Sequence, residues 1–291
     1  MKKMRLAYSE DIVRLKEIWQ RCFGDTDSFI DFYFTHRFKA EQTAVYLQDN
    51  SIAAMLTMIP IQWVDGISKG IKIDGAMLYA IATHPDYQHQ GIATVLMGWA
   101  KNYLQDRQVE LCVLVPAEAH LFKFYAQQGY QVGFAVQETV LSAEEMRASA
   151  ELGFPCSVRP TTPQVYNRIR NQLLQGSIHI AYGEEEIAYQ KRVSQLSGED
   201  IYELNFNGTQ GCAAVERMDE ERVLIKELLV PTNFNPGGLG ALVQKIAAEE
   251  FIMRTPVGSM TLGGQTRPFG MLTTSNIELL GKTGYLGLAF D

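Results

Sequence analysis

Residues 76–104 read AMLYAIATHPDYQHQGIATVLMGWAKNYL. Residues 76–83 form an apolar run of strand length, closed by His84-Pro85, and residues 86–90 make a polar turn. From Gly91 onward apolar residues recur at helical spacing, which predicts Ile92, Val95, Leu96, Trp99, Ala100 and Tyr103 on one face. Strand, polar turn and helix start together make an anion site. The first N–H groups of a helix lack internal partners, and the helix dipole adds positive potential there. Gly91 removes the Cβ that would hold a ligand off the backbone, and Ala93 is nearly as small. The spacing is Gln88-x-x-Gly91-x-Ala93.

On the N-terminal side, residues 4–7 predict a brief strand. Ser9 is the expected cap of a helix over 12–22, with Glu10 and Asp11 in its first turn. A second amphipathic helix is predicted over 28–38. Residues 44–48 and 52–61, joined by Asp49-Asn50, predict a β-hairpin, and 66–75 a glycine-rich loop. On the C-terminal side come a buried strand (109–115), a helix (118–128) ended by Gly129, and a strand (130–140). One α/β domain with a mixed sheet is complete by about residue 141.

Residues 142–162 read as a connector, helical at first and then broken by Gly153, Pro155 and Pro160. The chain then starts again. Helices are predicted over 165–174 and 184–196, and strands over 202–206, 211–217 and 223–230. Pro231 and a glycine-rich turn lead into a helix predicted over 238–251. Gly238-Leu239-Gly240 sets on Gly91-Ile92-Ala93, and Gly284-Tyr285 echoes Gly129-Tyr130, so 163–291 reads as a second copy of 1–141. That copy has decayed: Asn235 stands where Gln88 would be and Leu280 where Tyr125 would be. A structural, non-catalytic role is the expectation for it.

An apolar content of 46% with 20% charged residues describes a globular chain able to bury a core. The net charge of −7 argues against nucleic-acid binding, which needs a basic face; it suits a cationic partner such as an amine, with solubility alone as the alternative reading. Cys22, Cys112, Cys156 and Cys212 lie far apart without a Cys-x-x-Cys pair, so free thiols in a reducing compartment are expected. No metal cluster emerges from His36, His84, His89, His120 and His179. The opening residues lack a signal-peptide core and no apolar run reaches membrane-span length, so the expectation is a soluble, cytoplasmic protein with no membrane partner. The sequence is compatible with a homo-oligomer.

The pattern Gln88-x-x-Gly91-x-Ala93, placed after a strand that ends near a proline, resembles the GNAT superfamily of acyl-CoA-dependent N-acyltransferases. The resemblance covers the first copy closely and the second loosely. It implies two tandem GNAT-like domains, the second degenerate, and acetyl-CoA as co-substrate, with no metal. In such a protein the coenzyme pyrophosphate rests on the amides of Gln88, His89, Gln90, Gly91, Ile92, Ala93 and Thr94. The backbone of Ile81, Ala82 and Thr83, splayed from the next strand, pairs with the pantetheine. Tyr125, in LFKFYAQQGY, resembles the family's Phe-Tyr-x-x-x-Gly-Phe/Tyr segment, which implies a hydroxyl facing the coenzyme sulfur as the catalytic acid. Many relatives carry Asn eight residues before that tyrosine. This chain has Ala117, which leaves Tyr125 as the main contact on the thiol side.

Pro116, Ala117, Phe124 and Tyr125 also resemble the GNAT region of the enhanced intracellular survival family, in which a chain-terminal carboxylate enters the active site. The residue concerned here would be Asp291. Mycothiol synthase is likewise tandem and of similar length, but relies on the copy that has decayed here. The general base is open among Asp25, Asp27, Asp74 and His84, with loop and capping roles the alternative for each. The implied reaction is direct acetyl transfer to a primary amine of a small molecule or peptide, catalysed by the first copy. A non-catalytic acyl-CoA-binding or interaction protein in a GNAT shell is the alternative, and transfer of a longer acyl chain a third reading.

Overall fold

The computed structural model describes residues 3–68, 70–150, 155–231, 235–259 and 263–290. Asp291 and Gly153 lie outside the described residues, as does the side chain of Asn235. In chain order the elements are β1 (Lys3–Leu6), α1 (Ile12–Phe23), α2 (Asp27–His36), β2 (Thr43–Gln48), β3 (Ser51–Asp65), β4 (Ile71–Thr83), α3 (Ile92–Gln105), β5 (Leu111–Leu114), α4 (Ala119–Gln127) and β6 (Gln131–Ser142). They continue with α5 (Ala143–Ala150), β7 (Ser157–Pro160), α6 (Pro163–Leu173), β8 (Ile178–Ala181), α7 (Glu184–Leu196), β9 (Ile201–Phe206), β10 (Thr209–Arg217) and β11 (Arg222–Leu229), and end with α8 (Asn235–Lys245), β12 (Glu250–Thr255) and β13 (Gln265–Thr274). No helix among the described residues is long and apolar enough to cross a membrane.

The chain divides into two compact units. The first comprises Met1–Gln62, Ile73–Gln131 and Met271–Leu280; the second comprises Trp63–Lys72, Val132–Gly270 and Gly281–Asp291. The units are therefore interleaved in sequence. β5 in the first unit takes an antiparallel partner from late in the chain, with Leu114 opposite Met271 and Leu111 opposite Thr274. β6, the last strand of the first copy as read from the sequence, pairs instead in the second unit with β12, Ser142 opposite Glu250 and Gln137 opposite Thr255. A strand's own pattern fixes its faces and leaves its hydrogen-bonding partner undetermined, so this exchange has no local signature.

In the first unit β1, β2, β3, β4 and β5 lie side by side in that order. The β2–β3 hairpin turns at Asp49 (φ 50°) and Asn50 (φ 66°). Both are left-handed, as a two-residue turn matched to strand twist requires, and Asp and Asn tolerate that region. Asp11, rather than Ser9, organises the start of α1: its carboxylate accepts from the Tyr8 amide at 2.7 Å and from both Arg5 guanidinium nitrogens at 2.6 and 3.0 Å. The Arg5 hydrogen bond and charge hold the Asp11 pKa below the ordinary carboxylate value. Thr26 caps α2 by accepting from the Phe29 amide. On α3 the buried face is Ile92, Leu96, Met97, Ala100 and Leu104, while Val95 is exposed and Trp99 stacks on Tyr103. The buried stripe is thus rotated from the one read off the sequence, because i, i+4 neighbours meet the sheet and Val95 lies off that line.

In the second unit β6, β12, β11, β10, β9 and β7 follow one another, β11 and β12 being parallel. The helix read over 238–251 ends at Lys245, and Glu250 already begins β12. The strong helix formers in Ala247-Ala248-Glu249-Glu250 gave a helical reading that tertiary pairing overrides. Gly238 packs inward, where a Cβ would meet Leu204, Phe206 and Val230 at 3.3 Å.

A buried ion pair anchors the end of the chain in this unit. Arg170 and Glu227 are both fully buried, with Arg170 Nε donating to the two Glu227 oxygens at 3.0 and 3.2 Å. Tyr166 donates its hydroxyl to Glu227 at 2.8 Å, and the other Arg170 nitrogens donate to the carbonyls of Ile180 and Leu286. Gly287 (φ 67°) is confined here, since a Cβ would lie 2.2 Å from a Glu227 oxygen. His179 lies nearby; burial, and then the Arg170 charge, pull its pKa from 6.5 down to about 4. Its folded value is depressed, so the neutral ring contributes stability above pH 6.5 that is lost as pH falls through about 4. Urea midpoints measured at about pH 7 and about pH 4.5 are expected to drop further in the wild type than in His179→Gln.

Candidate functional site

The site is built where β4 leaves β5. The two strands run parallel with Gly75 opposite Leu111, Ala76 opposite Cys112 and Met77 opposite Val113, and the ladder stops there although β4 continues to Thr83. Ala80 adopts φ 50°, a left-handed conformation that L-residues other than Asn and Asp rarely hold. Such a residue costs about 1–3 kcal/mol and persists only when its surroundings enforce it. The kink coincides with the parting of the strands. It leaves Ile81, Ala82 and Thr83 beyond the ladder, on the strand segment that the resemblance to the GNAT superfamily implies as the partner of the pantetheine.

The following turn is pinned back onto this strand. The Gln88 side chain donates to the Thr83 carbonyl at 3.0 Å, and the Cys22 thiol donates to the same oxygen at 3.2 Å. His84 caps the short 3-10 turn Pro85–Tyr87, its Nδ1 accepting from the Asp86 amide at 3.3 Å. It is buried, and its Nε2 lies 3.6 Å from Glu17. His89 (φ 61°) and Gly91 (φ 73°) are both left-handed, and Gln48 donates to the Gln90 side chain at 3.5 Å. The first intrahelical bond of α3 runs from the Val95 amide to the Gly91 carbonyl, so the amides of Ile92, Ala93 and Thr94 precede it. A Cβ built on Gly91 would meet no atom within 4 Å. The turn therefore offers an open backbone face beside a row of helix-start donors, which is the geometry that receives a phosphate.

Tyr125 sits on α4 with its ring in the core shared by Leu114, Tyr130 and Met271. Phe124 lies 5.2 Å and Tyr130 6.1 Å away between ring centroids, both at steep angles. Burial pushes its hydroxyl up from 10.0 to about 12, so it stays protonated over the range in which a thiol ionises. The carboxylates considered as bases have structural partners. Asp25 accepts from the Trp19 indole at 2.7 Å, Asp27 from the Gln20 amide at 3.0 Å, and Asp74 from the Gln62 amide at 3.0 Å. Trp19 in turn packs against Tyr33 (4.4 Å) and Tyr79 (5.8 Å), Tyr79 being the residue before the Ala80 kink.

The structure thus brings residues 81–83, Gln88 and the 89–94 turn together at one end of β4 and α3. Two participants escaped sequence reasoning. Cys22 reads as one more buried thiol, and Ala80 carries no signal because alanine is not a residue chosen for left-handed backbone.

A family model for the acetyltransferase (GNAT) domain matches residues 3–133. Over these residues the chain is similar to GNAT acetyltransferase domains. The match contains the whole 81–94 turn and Tyr125. No curated protein matches the chain. Among solved structures the chain is similar to a conserved protein from Enterococcus faecalis V583 described as a probable N-acyltransferase, at 15% identity and a TM-score of 0.73, covering 96% of this chain and 74% of that one. It is similar to a GCN5-related N-acetyltransferase from Anabaena variabilis at 16% identity and a TM-score of 0.73, with 95% and 74% covered. It is also similar to Eis1 from Mycobacterium abscessus at 11% identity and a TM-score of 0.69, with 94% and 73% covered. At these identities the likeness is one of fold, and it extends well past the GNAT domain into the second half of the chain.

Proposed function

We propose that the first GNAT domain transfers an acetyl group from acetyl-CoA directly to a primary amine of a small molecule or peptide, and that the second half is its non-catalytic partner. The observation that carries this reading is the parting of β4 from β5 after Met77 and Val113, next to the open left-handed turn at Gly91. The amides of Gln90 to Thr94 hold the pyrophosphate, and hydrogen bonds to a charged group contribute about 1.5–3 kcal/mol each. The backbone of Ile81, Ala82 and Thr83 aligns the pantetheine and polarises the thioester carbonyl by N–H donation. The amine nitrogen bonds to the acetyl carbon, the carbon–sulfur bond breaks, and the departing sulfur takes the proton of the Tyr125 hydroxyl. An acceptor that arrives as an ammonium ion first gives one proton to water so that its nitrogen can attack. The proton it loses after attack returns through water to the Tyr125 oxygen. None of the candidate carboxylates is needed as a base in this scheme.

The chain's net charge of −7 suits an acceptor that arrives as an ammonium ion. Steady-state assays with acetyl-CoA and a panel of amines, read by thiol release, test the reading. Tyr125→Phe is expected to lower kcat about 100-fold while acetyl-CoA affinity is retained. A kcat that Tyr125→Phe leaves unchanged removes the proton-donor role. Turnover with no amine in the panel favours the acyl-CoA-binding alternative.

Direct transfer makes a separate prediction at Cys22. Its thiol lies at the Thr83 carbonyl, where an acetyl-enzyme would have to form, but burial raises its pKa and disfavours the thiolate. Cys22→Ala is therefore expected to keep kcat within about threefold of wild type, with intersecting initial-rate lines. Parallel lines together with an inactive Cys22→Ala would establish a two-step route through that sulfur.

A further inference from the structure

Beyond Met77, β4 has lost β5 as a partner on one edge and keeps β3 on the other. A strand end bonded along one edge only leaves a row of main-chain groups without ladder partners. At Thr83 side chains fill that gap. The His84 amide donates to the Ala53 carbonyl of β3 at 2.9 Å. In a trans peptide the C=O points opposite to the N–H, so the Thr83 oxygen points away from β3, to the edge that β5 has left. There it accepts from the Cys22 thiol of α1 at 3.2 Å and from the Gln88 side chain at 3.0 Å. A carbonyl oxygen has two lone pairs, and the two donors that meet them come from separate elements. The peptide between Thr83 and His84 is thus held on both edges with a strand on only one.

We propose that Cys22 and Gln88 are a pair of positioning residues. Through the Thr83 carbonyl they stand in for the missing strand and keep residues 81–83 extended for the pantetheine arm of the acyl donor. The inference rests on the acetyl-CoA reading of the first unit and gives two side chains a role in it. Neither side chain touches the donor in this scheme. A segment already held in its bound shape costs less to order when a ligand pairs with it, so the pair acts on affinity rather than on the chemical step. One donor is enough to hold the oxygen. Loss of the first is therefore partly covered by the second, and loss of both frees the peptide.

The test is calorimetric titration of the full chain with coenzyme A and, separately, with pantetheine, which lacks the pyrophosphate and the nucleotide. Wild type, Cys22→Ala, Gln88→Met and the double variant are compared. Each single change is expected to raise Kd by about threefold or less, and the double change by about twentyfold, with the same factor for both ligands. An unfolded fraction lowers the number of sites and leaves Kd as it was, so a merely structural loss reads differently. A double variant no weaker than the product of the two singles would overturn the proposal. So would a rise confined to coenzyme A, which assigns Gln88 to the pyrophosphate, or a wild type that binds coenzyme A but not millimolar pantetheine. A wild type that binds neither ligand would remove the acetyl-CoA reading and this inference together, whereas the other contrary results remove this inference alone.

Discussion

Gly91→Glu is expected to give a folded protein that has lost acetyl-CoA. The substitution forces an L-residue into φ 73°, at a cost of about 1–2 kcal/mol, but its Cβ enters space that no protein atom fills. Stability should fall by that amount and no more. Binding suffers far more, because a carboxylate then lies over the amides of Ile92 to Thr94 that would receive the pyrophosphate. Losing two such contacts at about 1.5–3 kcal/mol each corresponds to at least a hundredfold rise in KM for acetyl-CoA. In thermal unfolding, acetyl-CoA at about a hundred times its Kd should stabilise wild type by about 2.7 kcal/mol and Gly91→Glu by nothing measurable. Gly238→Ala is the matched control. Its Cβ would press on Leu204, Phe206 and Val230, so it should cost stability in the second unit and leave KM alone. A variant at Gly91 that binds acetyl-CoA normally would take the coenzyme away from this turn.

Arg170→Ala is expected to be the most destabilising single change in the second unit, at about 3–5 kcal/mol. The estimate rests on complete burial of both partners, since removing the guanidinium leaves the Glu227 carboxylate dry and without a counter-ion. It also strips donors from the carbonyls of Ile180 and Leu286. Arg170→Met combined with Glu227→Leu should recover much of that loss, because a buried pair often contributes little beyond an apolar replacement of similar volume. Urea unfolding of the two variants against wild type measures both effects. A loss below about 1 kcal/mol in Arg170→Ala would mean that water reaches the pair, and the anchoring role given to the chain's end would fall.

Much of this was legible in the sequence where a residue type has a single physical use. Gly91 ahead of an amphipathic run marks an open helix start, and Asp49-Asn50 between apolar stretches marks a tight hairpin; both lie as read. The identity of the helix face was less legible. Val95 fits the helical spacing yet is exposed, since spacing defines a stripe and tertiary contact selects which side of it is covered. The kink at Ala80 could not be read at all, because it is enforced by the surroundings rather than by the residue. Nor could the strand exchange. Residues 130–140 read as a strand, whereas 265–274, interrupted by Pro268 and Gly270, carry no strand reading, and only the folded chain decides that β6 joins β12 and that Met271 faces Leu114. The buried pair was invisible for the same reason, since Arg170 lies in a run of polar helix residues and Glu227 in a strand 57 positions away.

The most direct measurement is a crystal structure of the chain with coenzyme A. The pyrophosphate should lie on the amides of Gln90 to Thr94, the pantetheine should pair with Ile81 to Thr83 between β4 and β5, and the sulfur should come within hydrogen-bonding reach of the Tyr125 hydroxyl. A coenzyme bound away from β4, or a sulfur far from Tyr125, would contradict the account.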